Sequence, residues 1–173
     1  MIDLLRKRRS IRKFSDEKVS QESISTLIEA ALRSPSSRGI NPWEFIVVDD
    51  PELIAELSKV KPSGSAFLKT APLAIVVSAD STKSDVWVED CSIAAIIIQL
   101  AASSLGLGSC WIQVRKRQHD PEITAESYIR ELLGLPGHVT VSSIIAIGHP
   151  AEEKPSVPGQ NLQHDKARFN SWS

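Results

Sequence analysis

Val86-Trp87-Val88-Glu89-Asp90-Cys91-Ser92-Ile93-Ala94-Ala95-Ile96-Ile97-Ile98-Gln99-Leu100-Ala101-Ala102-Ser103-Ser104-Leu105 runs without a proline or glycine until Gly106 and Gly108. The run predicts one long helix over 86–105, closed by the two glycines. Its middle, Ile93 to Leu100, is apolar on almost every side. A helix of that kind is buried all round, at the centre of a core or against a second subunit.

Working outward, four strands are expected: Glu44–Val48, Ala71–Ser78, Ser109–Val114 and Val139–Ile147. Each is a β-branched or apolar run of strand length between turn residues. Residues 2–8 predict a short helix. Ser20 is an N-cap for a second one, where Ile24, Leu27, Ile28, Ala31 and Leu32 repeat at the spacing of a single buried face and Ser34-Pro35 forces a stop. Asp50-Pro51 and Asp120-Pro121 each pair an N-cap with a proline, so helices carrying Leu53, Leu57 and Val60, and Ile123 to Leu133, are predicted to start there. From His149 onward the chain has Pro150, Pro155 and Pro158 and little apolar content until Phe169 and Trp172. Such an arm must lie on something. Four strands alternating with helices leave the strand order open.

The chain has 173 residues, which suits one domain (1–173, with 149–173 as an extended arm). Twenty basic against twenty-one acidic side chains argue against a protein that coats nucleic acid. Cys91 and Cys110 are nineteen positions apart without a CxxC partner, so neither a disulfide scaffold nor a zinc site is expected. Met1 to Leu5 run straight into charge, and the longest apolar run, 93–102, is broken by Gln99. A span needs roughly twenty residues. A soluble, cytoplasmic protein with neither signal peptide nor membrane anchor is expected.

Three places could carry chemistry. Arg6-Lys7-Arg8-Arg9-Ser10-Ile11-Arg12-Lys13 packs six cations into eight residues. It reads as a solvated face, as an anion site built from planar guanidinium donors and a hydroxyl, or as a nucleic-acid arm. The loop Ser34-Pro35-Ser36-Ser37-Arg38-Gly39-Ile40-Asn41-Pro42-Trp43 is long for a helix-to-strand connection and sets an Arg and an Asn beside an aromatic. Leu105-Gly106-Leu107-Gly108-Ser109-Cys110-Trp111-Ile112 has glycines that serve as a helix cap or, with less specificity, as a nucleotide loop. His119, His138, His149 and His164 have no metal-ligand spacing, and Cys110 reads as a small core residue. With no catalytic triad in sight, any reactivity would have to come from a cofactor.

Taken in order, Arg8-Arg9-Ser10-Ile11-Arg12-Lys13-Phe14, Ser34-Pro35-Ser36-Ser37, Asn41-Pro42-Trp43-Glu44-Phe45, Ala71-Pro72-Leu73, Trp87 to Ser92, Leu105 to Ile112, Ile144 to Pro150 and Glu152-Glu153-Lys154-Pro155 resemble the nitroreductase family, in its compact branch. The resemblance implies an α+β fold with a central mixed or antiparallel sheet flanked by helices, and a C-terminal arm embracing the partner subunit. It also implies a homodimer with FMN at the interface and NADH or NADPH as co-substrate. Arg8, Arg9, Ser10 and Arg12, with Lys154, would hold the phosphate and ribityl chain. Ser36, Arg38 and Asn41 would reach the ring from the opposite subunit, and Gln113 and Val114 would place a backbone N–H near flavin N5. No side chain is assigned as catalytic and no metal is implied. The implied activity is reduction of a nitroaromatic, quinone or similar acceptor by ping-pong hydride transfer. Reductive dehalogenation and a non-catalytic flavin-binding or redox-sensing module are the alternatives. Val114, where many relatives carry glycine, and Ile97, near which many carry a polar residue, depart from the pattern.

Overall fold

A computed structural model of the chain describes residues 1–172. Nine helices and strands are laid down in the order α1 (Ile2–Lys7), α2 (Gln21–Leu32), β1 (Trp43–Val48), α3 (Pro51–Leu57), β2 (Leu73–Asp80), α4 (Trp87–Ser104), β3 (Gly108–Gln113), α5 (Ala125–Leu133) and β4 (Val139–Gly148). The strands pair in the order β1-β2-β4-β3, and every pair is antiparallel. This settles the mixed-or-antiparallel expectation. The parallel contact at the sheet edge is a single bridge between Ser10 and Ser109.

The central strands β2 and β4 are buried almost residue for residue because both faces of the sheet are covered. On one face Ala74, Val76, Ile112, Val114 and Ile144 pack with Ile54 and Leu57 of α3 and Ile129 of α5. On the other, Leu73, Ile75, Val77 and Ile145 pack with Leu27 of α2 and Ala94, Ile98 and Ala102 of α4. Adjacent residues of one strand thus feed different cores, the period-two rule of extended chain.

Local signals set several boundaries. Ser20 Oγ accepts the Ser23 amide at 3.1 Å and starts α2. Leu32, read as part of its buried face, is 55 % exposed. Asp50 Oδ1 accepts the amides of Glu52 and Leu53 at 2.8 and 3.0 Å, with Pro51 in the first turn of α3, while the buried Val60 falls beyond that helix. Asp120 makes the same two contacts, to Glu122 and Ile123, yet no helix follows. The chain turns instead, Gln118 bridges to Thr124, and α5 begins only after Thr124, whose Oγ1 accepts the Ser127 amide at 3.0 Å.

In the single chain helix α4 is not buried on every side, so it is not the central core helix of the first alternative, and burial against a second subunit belongs to the assembly. Cys91, Ala94, Ala95, Ile98, Gln99 and Ala102 are buried, whereas Ile93 and Ile96 are each 38 % exposed. By length and composition α4 is the one described helix that could cross a bilayer. Its small-residue face lies on the sheet instead, as in the core helix of a globular domain. At the far end of the chain, residues 155–172 are exposed throughout, including Phe169 and Trp172 at 88 % and 84 %.

Candidate functional site

The basic segment leaves α1 and runs beside the outer edge of β3, where the Ile11 amide donates to Ser109 O at 3.0 Å. The chain after β4 then laces onto it: Ser15 N donates to His149 O and Ala151 N to Lys13 O, both at 2.9 Å. That lacing brings Lys154 across 144 positions of sequence, and its Nζ donates to Ser10 O at 2.7 Å. Arg9 reaches the same stretch through the Pro155 carbonyl. Arg8, Arg9, Ser10, Arg12 and Lys154 are therefore brought together.

Charge in this group is not balanced. Glu152 accepts the Arg12 amide at 2.5 Å and pairs with Lys154 at 3.0 Å. Among the described residues no carboxylate pairs with the guanidiniums of Arg8, Arg9 or Arg12. Arg12 spreads its guanidinium 5.7 Å over the Phe67 ring. Cys110 lies beneath, only 1 % exposed. Burial pushes its thiol up, against the opposing pull of Arg12, a Ser10 hydrogen bond, Lys154 and Arg8. It is a core residue rather than a nucleophile. The donor set of guanidiniums, an ammonium and a hydroxyl, with spare positive charge, fits the terminal phosphate of a mononucleotide.

Beyond the group, β3 has no strand on its outer side. The Val114 amide donates inward to Ser142 O at 3.2 Å, so the expected flavin-facing N–H at Val114 is already taken. Amides alternate in direction along an antiparallel ladder, which turns that of Gln113 to the open edge. The Gln113 side chain is held by Trp111 Nε1 and the Arg115 carbonyl, both at 3.0 Å. Of the two residues assigned to N5, only Gln113 offers a backbone donor.

Ser36, Arg38 and Asn41 form a separate group. Ser36 Oγ donates to Asn41 Oδ1 at 2.7 Å and accepts the Asn41 amide at 2.8 Å, closing the loop on itself. Arg38 and Asn41 sit at φ 55° and 53°, a left-handed conformation uncommon for side-chain-bearing residues and typical of functional loops. The loop is anchored by Asp90 in the first turn of α4, whose Oδ1 accepts the Ser37 amide at 2.8 Å, and Arg38 pairs with Asp85 at 2.8 Å. The cationic group lies past the other end of this 18-residue helix, which is about 27 Å long. One chain does not bring the two groups together.

Sequence reading missed Asp90, Asp85, Glu152 and Phe67. Asp90 had a signal, as a carboxylate inside an otherwise apolar helix; it is 2 % exposed. A cavity of about 230 Å³ lies elsewhere, between Ser15–Val19, Asp49, Pro51 and Lys69–Pro72, and none of the assigned residues lines it.

A structure of an FMN-dependent nitroreductase from Clostridium difficile R20291 superimposes with a TM-score of 0.98 and 52 % identity, over 99 % of this chain and all of the other. A Methanothermobacter thermautotrophicus protein, named provisionally as an NADH dehydrogenase/NAD(P)H nitroreductase, is 41 % identical over 99 % of this chain and 87 % of its own. An FMN reductase (NADPH) of Bacillus subtilis is 29 % identical over 95 % and 72 %. The model of the nitroreductase family matches residues 5–64 and 60–149, and with the antiparallel sheet and helices in place the chain belongs to that family.

Proposed function

We propose that this chain is an FMN-dependent NAD(P)H oxidoreductase that works as a homodimer, with one FMN at each of two shared sites. The observation that carries the reading is the surplus of positive charge gathered around Ser10 beside the open edge of β3. Arg8, Arg12 and Lys154 would bind the phosphate, with Ser10 adding a hydroxyl donor and Arg9 holding the arm in place. The outward Gln113 amide would serve the ring near N5. Ser36, Arg38 and Asn41, at the far end of α4, would come from the partner subunit, and the arm 149–173, exposed from 155 to 172, would lie on that partner.

Bound FMN would supply the two-electron chemistry, accepting hydride from NADH or NADPH and passing it to a nitroaromatic, quinone or similar acceptor. The protein's part is to bind the reactants in turn at the ring, within about 3 to 3.5 Å, and to offset developing negative charge with N–H donors and cations. Alternate use of one site predicts ping-pong kinetics. A deiodinase-like reading has specific support in relatives such as an iodotyrosine deiodinase of Thermotoga neapolitana, 25 % identical over 99 % of this chain and 98 % of its own.

The purified protein should be yellow, with flavin absorption, and anaerobic NADH or NADPH should bleach it at a useful rate. Colourless protein that added FMN cannot reconstitute would remove the reading. Flavin that binds but is not bleached would reduce it to a passive module. An acceptor screen that includes halogenated phenols separates the nitroreductase and dehalogenase readings.

A further inference from the structure

The cavity of about 230 Å³ that stands apart from the cationic group is closed by three stretches of chain. The first leads from Ser15 into α2, the second from Asp49 into α3, and the third from Lys69 into β2. Val19, Ile24, Ile54 and Ala71 supply its apolar floor, none of them more than 8 % exposed. Its rim carries both signs of charge on both sides. Asp16 and Lys18 stand on the first stretch, and Asp49 and Lys69 face them from the other two.

Among the described residues none of these four charges has an ion-pair or side-chain hydrogen-bond partner. Their sequence neighbours do: Glu17 lies 3.5 Å from His149 Nε2, and Asp50 caps α3. Ser15 adds a further polar group without an answer. Its amide donates to His149 O at 2.9 Å, but its Oγ is buried and bonded to nothing. A buried hydroxyl without a partner is costly, and a bound molecule is one way such a group is satisfied. Size and charge then narrow the occupant. Sites for drug-sized molecules run from roughly 300 to 1,000 Å³, and this one is smaller, so it suits a molecule no larger than an amino acid. Two cations and two anions cancel, and only a ligand with both signs meets both pairs. The floor asks for a hydrocarbon tail.

We propose that this cavity binds a small zwitterion with an aliphatic tail, an α-amino acid of about the size of leucine. Lys18 and Lys69 take its carboxylate, and Asp16 and Asp49 take its ammonium. Ser15 turns its hydroxyl to the carboxylate, and the tail lies on Val19, Ile24, Ile54 and Ala71. The site shares no residue with those assigned to FMN, so it stands apart from the oxidoreductase reading.

The test titrates the full-length purified protein calorimetrically with three probes. L-leucine carries both charges, 4-methylpentanoate lacks the ammonium, and 3-methylbutylamine lacks the carboxylate. Leucine should bind about fivefold or more tightly than either of the others. The single-charge variants should then separate the two halves of the site. Lys69→Ala should weaken leucine and 4-methylpentanoate and leave the amine unchanged. Asp49→Ala should weaken leucine and the amine and leave the acid unchanged. Glu22→Ala, a surface change on α2 away from the cavity, should alter none of them, and thermal melts confirm that every variant folds. No leucine binding to the native chain, or equal binding of the three probes, would overturn the proposal. So would a loss of all three probes alike in either charge variant, because the residue would then be holding the cavity open rather than reading the ligand. Leucine binding that emerges only in Phe169→Ala with Trp172→Ala would also overturn it, by assigning the cavity to the arm of a second copy. Protein that takes up no flavin fails the oxidoreductase reading and leaves this titration to decide the cavity by itself.

Discussion

Glu152 stands between the Arg12 amide and Lys154 and fastens the arm to the N-terminal segment. The Arg12 amide, then the Lys154 ammonium, hold its carboxyl below the usual glutamate range. A carboxylate whose folded pKa is depressed adds stability above its unfolded pKa and loses it as pH falls through the folded value. Thermal melts from near pH 7 to below about pH 4 should therefore show an acid-side loss of stability that is smaller in Glu152→Gln. Nearby, Arg8→Ala with Arg12→Ala should weaken FMN binding by several kcal/mol, since each charge-assisted contact is worth roughly 1.5 to 3. Flavin fluorescence titration measures this, and unchanged retention would take the basic segment out of the site. At this scale the sequence displays the cations, because six of them stand together, but not which have partners. Glu152 and Lys154 enter the group from the opposite end of the chain, and nothing in local spacing announces an encounter across 144 positions.

Among the elements, α4 is the most informative. Its composition is apolar all round, yet the sheet takes only the Ala94, Ala95, Ile98 and Ala102 side and leaves Ile93 and Ile96 at the surface. A partner covering that side would explain the composition. Ile96→Lys should shift the protein toward monomer and lower its flavin content, readable by light scattering and absorption. Strand β4 ends at Gly148, where an added Cβ would come within 2.5 Å of Pro72 Cδ. Gly148→Ala should destabilise the fold by about 1–3 kcal/mol in chemical denaturation, because a proline ring cannot swing aside. Both Asp-Pro pairs read as helix starts in the sequence, but only Asp50 opens a helix directly. Asp120 spends its carboxylate on a turn that the Gln118–Thr124 bridge then redirects, a tertiary pairing with no local signature.

For the whole molecule, strand positions could be read from runs of β-branched residues, whereas the order β1-β2-β4-β3 could not. Order depends on which faces the helices cover, and that is settled by packing rather than by any one segment. Residues 156–173 illustrate the limit from the other side. Their proline and polar content marks an arm, and in the single chain the described part buries almost nothing. Deleting 156–173 should leave cooperative unfolding of the remaining domain in place while lowering the fraction of dimer in sedimentation; an unchanged dimer would detach the arm from assembly. Order of synthesis adds a final consequence to the bond between Lys154 and Ser10. The bond joins two positions 144 residues apart, so the cationic group cannot close until Lys154 has left the ribosome. On the reading proposed above, a nascent chain stalled before residue 154 should lack this grip on a phosphate.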